Sequence, residues 1–145
     1  MARKINIACG DRLLEGFENV DGERPGMNPE IIIGNALEYD YKGAELVYAG
    51  HFIDRLTIDD VKKFFQKVRS DAPEAELIIS VPAVDRANGV PFWWLQIIIF
   101  GWRRWPGDHY LSVWRAKDLD AELRAAGFTR TQEWPDCPYL ADRVD

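Results

Sequence analysis

The sequence predicts one α/β domain, built on a doubly wound and mainly parallel sheet with helices on both faces. Short runs of β-branched residues recur with little polar alternation, which is typical of strands buried on both faces. Stretches with helical spacing of apolar residues alternate with these runs. The length of 145 residues suits a single domain, and no repeat or linker divides residues 1–145.

The predicted strands are short apolar runs, most of them closed by Gly, Pro or a small polar residue. They cover residues 5–8, 17–20, 31–33, 45–49, 76–81 and 128–134. The segment between the first two strands is short, so we expect its helix to be a single turn or missing.

Two segments are predicted helices. Over residues 57–70, apolar residues recur on one face, and Thr57 can cap the first turn. Over residues 115–126, apolar residues again share a face, and Gly127 follows where a left-handed C-cap belongs.

Composition and charge narrow the classes of function. The net charge of −6 makes nucleic acid an unlikely partner, because an acidic domain repels phosphate backbones. Cys9 and Cys137 have neither pairing nor metal spacing, so no disulfide or metal site is predicted. No secretory signal opens the chain, and its longest apolar stretch, residues 90–102, is too short for a membrane span. We therefore expect a cytoplasmic protein.

Small and polar residues follow the predicted strands. In open parallel sheets, ligands bind outside the carboxyl ends of the strands. The residues at these ends are therefore the candidate binding residues: Cys9, Gly10, Asp11, Asp21, Gly22, Asn35, Ala36, Gly50 and His51.

Several segments resemble one family. Residues 5–11 (INIACGD) resemble LNLGCGD, the first motif of small bacterial and phage class I S-adenosylmethionine-dependent methyltransferases. Residues 17–21 (FENVD) resemble the strand that follows, commonly GFINVD. Further matches in the same order are residues 34–37, 44–56, 77–82, 100–101 with 107–110, and 119–128. The resemblance implies a minimal, Rossmann-like class I methyltransferase core.

The resemblance implies a methyltransferase that binds S-adenosylmethionine and releases S-adenosylhomocysteine. The turn of Ala8, Cys9, Gly10 and Asp11 would hold the methionine end, with Gly50 and His51 beside it. Asp21, followed by Gly22, can accept hydrogen bonds from both ribose hydroxyls; otherwise it is a solvated turn acid or a cap. Asn35, followed by Ala36 and Leu37, would read the adenine, unless Asn35 only forms a turn.

The catalytic residues and the acceptor stay open. His109 or His51 could be the general base, since imidazole titrates near neutral pH; either could instead be structural. The expected methyl acceptor is a small molecule or a glycan, with oxygen or nitrogen as the nucleophile. This expectation rests on analogy with the family alone.

Departures from the family pattern support an alternative function. Ala8 stands where the family usually has Gly, and Arg55 stands where it has a second His. The alternative is a catalytically degenerate binding or interaction module that dimerises through residues 90–102. That aromatic run has three interpretations: a helix packed on the sheet, a homodimer interface, or a lid over the site.

Overall fold

A computed structural model describes residues 2–84, 89–101 and 109–133. Its single sheet has the order β3-β2-β1-β4-β5, and every neighbouring pair is parallel. The strands are β1 (Arg3–Ile7), β2 (Glu18–Asp21), β3 (Ile32–Ile33), β4 (Ala44–Gly50) and β5 (Glu76–Ser80). The predicted α/β class with a parallel sheet is confirmed.

The helices are α1 (Ile58–Asp71), α2 (Phe92–Phe100) and α3 (Ala116–Ala125), and a 3-10 turn covers Ile53–Arg55. The predicted cap of α1 is present, because Thr57 Oγ1 accepts a hydrogen bond from the Asp60 N–H at 3.2 Å.

The C-terminal cap of α3 is also present. Gly127 has φ +104°, and the Phe128 N–H donates to the Leu123 carbonyl at 3.1 Å. This is the hydrogen-bond pattern of a Schellman motif.

The main core lies between α1 and one face of the sheet. Phe64 and Phe65 of α1 are fully buried, as are Ile5 and Val47 on the central strands. Leu119 of α3 packs against the same cluster.

Helices α3 and α1 lie side by side, since Lys62 is 3.8 Å from Glu122 and Arg69 lies over the Phe128 ring. No residue of α2 is buried or packs against this cluster. Coverage of the second face by helices therefore stays a prediction.

The strand predicted at residues 128–134 is wrong for residues 128–133, and Trp134 lies outside the described residues. After the cap of α3 the chain turns back along the helix instead of joining the sheet. Asp120 and Arg124 hold it there through hydrogen bonds with the Thr131 hydroxyl. β-Branched and aromatic residues favour a strand, but these side-chain contacts of α3 hold the segment in another conformation.

The connection between β1 and β2 contains only turns, as the short spacing predicts. Two asparagines stabilise it in place of a helix. Asn6 Nδ2 donates to the Arg12 carbonyl and to Asn19 Oδ1, both at 2.8 Å. Asn19 in turn bonds both backbone groups of Leu14 and the carbonyl of Phe17.

Candidate functional site

A cleft of about 510 Å³ opens at the carboxyl ends of the strands. This volume lies in the range of small-molecule sites. Of the predicted binding residues, it brings together Ala8, Asp21, Gly22, Asn35, Ala36 and Leu37. The remaining lining residues, which the sequence reasoning missed, are Glu23, Ile33, Gly34, Phe52 and Leu56.

Asp21 connects the turns after β1 and β2. Its Oδ2 accepts from the Gly10 N–H and its Oδ1 from the Gly22 N–H, both at 2.9 Å. Each carboxylate oxygen can accept a further hydrogen bond. The Asp21 side chain is 23% exposed, so a ligand in the cleft can reach these oxygens.

Arg24 joins two acidic residues of neighbouring loops. It donates to Asp11 Oδ1 at 2.8 Å, and its Nε lies 3.8 Å from Asp21 Oδ2. Asp11 is exposed and does not line the cleft. The structure therefore gives Asp11 an ion pair with Arg24, whereas contact between Asp11 and a ligand stays a prediction.

Ala8 and His51 are the non-glycine residues with positive φ in the described ranges, at +54° and +51°. This left-handed region costs an L-residue roughly 1–2 kcal/mol, and such strain is concentrated at functional sites. Ala8 follows β1 and lines the cleft; His51 follows β4, and its N–H donates to the Ser80 carbonyl at 2.7 Å.

Asn35 stabilises a turn through its side chain, as expected if it has a structural role. Its Oδ1 accepts from the Leu37 N–H at 2.9 Å. The carbonyl of Ala36 accepts from the Tyr41 hydroxyl at 2.7 Å, while the Ala36 N–H has no hydrogen-bond partner within the described residues. One amide donor is therefore available on this side of the cleft, and recognition of adenine stays a prediction.

Cys9 is buried and supports the turn after β1. Its N–H donates to the Val20 carbonyl at 3.0 Å. Burial, with a contribution from the Asp21 carboxylate, raises the pKa of the Cys9 thiol to about 11. The thiol is therefore protonated at neutral pH and is a poor nucleophile. Cys9 does not line the cleft.

Gly50 and the two histidines lie outside the cleft lining. A Cβ at Gly50 would lie 2.5 Å from the Tyr48 hydroxyl, so packing explains this glycine. His109 is exposed. The residues that follow it form hydrogen bonds with the backbone of the 3-10 turn. There the Leu111 N–H donates to the Asp54 carbonyl at 2.7 Å. A base role for either histidine stays a prediction.

Asp54 is a buried carboxyl group that the prediction of site residues omitted. Only 2% of the residue is exposed, and neither carboxylate oxygen has a hydrogen-bond partner within the described residues. Burial raises its pKa to about 6, although Arg55 and nearby backbone N–H groups lower it. The signal in the sequence was its neighbour Arg55, which stands where the resembled family has a second His.

No protein-family model matches this chain, and no curated protein is significantly similar to it. No three metal-ligating side chains come together within the described ranges. Among the helices described, none combines the length and apolar character needed to cross a bilayer.

Proposed function

We propose that this chain is an S-adenosylmethionine-dependent methyltransferase with its cofactor site in the cleft. The observation that carries the proposal is the Asp21 carboxylate, which lines a cleft at the carboxyl end of the second strand. The order β3-β2-β1-β4-β5 corresponds to five strands of the doubly wound dinucleotide-binding order. The resemblance of residues 5–11 and 17–21 to the family's motifs adds independent support.

In this proposal, Asp21 accepts hydrogen bonds from both ribose hydroxyls through its remaining lone pairs. The Ala36 N–H donates to a ring nitrogen of the adenine. Ile33 and Leu37, which also line the cleft, supply apolar contact for the base. The methionine end lies along the backbone at Ala8, which lines the cleft and has a positive φ.

The reaction is an in-line displacement. An acceptor oxygen or nitrogen attacks the methyl carbon, the carbon–sulfur bond breaks, and the sulfur keeps the electron pair as S-adenosylhomocysteine. The acceptor proton passes to His109 or His51, or to water. The protein contributes mainly by holding acceptor and methyl group at near-attack distance. The acceptor class we propose is a small molecule or a glycan.

Calorimetric titration with S-adenosylhomocysteine tests the cofactor site. The wild-type chain should bind, and Asp21→Asn should weaken binding by at least about tenfold, or about 1.4 kcal/mol, through loss of charge-assisted hydrogen bonds. Glu38→Gln is the matched control, because Glu38 is exposed just after Leu37 and does not line the cleft. No binding by a folded wild-type chain at millimolar ligand would refute the proposal.

A second candidate is an interaction module without turnover, which dimerises through residues 90–102. The exposure of α2 and the strained Ala8 favour it. This module should form a dimer by light scattering that Trp93→Glu disrupts. It should also show no response of ligand binding to Asp21→Asn, which distinguishes it from the enzyme.

A further inference from the structure

The apolar helix α2 lacks a buried face. Phe92 is 76% exposed and Trp93 62% exposed, and Phe100 at the other end is also exposed. The Tyr110 N–H donates to the Phe100 carbonyl, which brings the exposed Leu111 close to this end of the helix. Helix α2 and the exposed residues Leu111 and Val113 are called the apolar patch below.

The sequence of α2, FWWLQIIIF, has apolar residues on every side and Gln96 as its single polar residue. A helix that is apolar all round is normally buried, either in a protein core or in lipid. A protein partner would cover only one apolar stripe of the helix, and the other apolar sides of α2 would stay in water. A lipid environment contacts every side that the body of the protein leaves uncovered.

The charge of the sequence segment that contains α2 differs from that of the whole chain. Although 29% of the residues are charged and the net charge is −6, no acidic residue occurs between Asp85 and Asp108. The charged residues in that interval are Arg86, Arg103 and Arg104, and the last two belong to the sequence WRRW that follows α2. Trp and Arg are the residues that prefer the headgroup region of a bilayer, and Arg attracts anionic lipids.

We infer that the apolar patch docks this protein on the surface of an anionic phospholipid bilayer. The nine residues of α2 span about 14 Å, less than half of a hydrocarbon core of about 30 Å. The helix therefore lies at the interface of one leaflet and does not cross it. The aromatic residues enter the acyl boundary, and the acidic body of the protein stays on the water side. This inference does not depend on the proposed methyltransferase activity.

Vesicle sedimentation of the full chain tests this inference. Vesicles of equal parts phosphatidylcholine and phosphatidylglycerol should bind the wild type roughly tenfold or more tightly than pure phosphatidylcholine vesicles, and salt should weaken that binding. Trp93→Glu should reduce binding to the mixed vesicles by at least about tenfold. Ile58→Glu is the matched control, because Ile58 is 52% exposed on α1 and should leave binding unchanged.

A second measurement needs no variant. Brominated phospholipid in the mixed vesicles should quench the tryptophan fluorescence of the wild type, since α2 enters the acyl boundary. No sedimentation with mixed vesicles, or equal loss in both variants, would overturn the inference. A concentration-dependent dimer that ignores vesicles and is broken by Trp93→Glu would assign the patch to a second copy of the chain instead.

Discussion

The two halves of the sheet are built in different ways. Between β4 and β5 the chain crosses through α1, whose apolar side is fully buried. After β1, β2 and β3 it passes through loops without an α-helix, at residues 8–17, 22–31 and 34–43. Polar side chains such as Asn6, Asn19 and Asp21 hold these loops in place. The connection in one half is held by apolar burial, whereas the loops in the other half are held by hydrogen bonds that also shape the cleft.

The two kinds of connection should therefore affect different properties, the stability of the fold and the polar groups that face the cleft. Apolar burial supplies most of the favourable free energy of folding. Hydrogen-bonded loops contribute less net stability, but they present N–H groups and carboxylate oxygens to a ligand. We therefore expect substitutions in the α1 half to lower stability most, and substitutions in the loops to change the cleft.

The largest effect is expected for Phe64→Ala in α1. Phe64 is fully buried against Tyr41 and Phe52, so its loss leaves a cavity and should lower the free energy of unfolding by about 3–5 kcal/mol. Chemical denaturation measures this. Phe92→Ala is the matched control and should cost under about 0.5 kcal/mol, since Phe92 is exposed. Equal costs would contradict the contrast between a buried α1 and an exposed α2.

The next effect concerns Asp54, which lies in the 3-10 turn between β4 and α1. Its pKa rises from 3.8 to about 6 through burial, so the folded state binds more protons than the unfolded state between these values. Stability supplied by the protonated carboxyl group is fully present below about pH 4 and is lost as pH rises through about 6.

Asp54→Asn removes this dependence. The stability of the variant relative to wild type should therefore increase by roughly 3 kcal/mol between about pH 4 and pH 7. Denaturation at a series of pH values measures the difference, with Glu38→Gln as an exposed control. A difference that does not change with pH would show that Asp54 is well solvated or paired.

A smaller loss is expected for Asn19→Ala in the loop half. The substitution removes the hydrogen bonds that the Asn19 side chain makes with both backbone groups of Leu14 and with the Phe17 carbonyl, which should cost about 2 kcal/mol. Asn28→Ala is the control, because the side chain of exposed Asn28 accepts one hydrogen bond, from the Glu30 N–H. Chemical denaturation of both variants measures the two losses of unfolding free energy. Equal losses would mean that the Asn19 side chain does not stabilise the loop between β1 and β2.

The smallest effect is expected for Ala8→Gly. Relief of the left-handed conformation outweighs the added freedom of glycine in the unfolded chain, so stability should rise by up to about 1 kcal/mol. Ala36→Gly, also in the cleft but without a positive φ, should have the opposite sign. Melting temperatures of the two variants test this, and a loss in both would argue against strain at Ala8.

Local sequence was sufficient to predict the strands of the sheet, the cap of α1 and the C-terminal turn of α3. Each depends on neighbouring residues: β-branched runs, Thr57 before a helical pattern, and Gly127 after one. Because parallel strands end at one edge of a sheet, the same reasoning predicted that Asp21, Gly22, Asn35 and Ala36 lie together, and all four line the cleft.

Contacts between separate elements of the fold decided the remainder. Phe52 and Leu56 reach the cleft because the 3-10 turn after β4 folds towards it, which no local pattern reports. Contacts with α3 prevent residues 128–133 from forming the predicted strand. The sequence by itself located the five strands and helices α1 and α3 to within about two residues at each end, since those preferences are local. Only the tertiary structure decided which side chains meet in the cleft and that the aromatic helix has no buried face, since burial depends on what the rest of the chain covers.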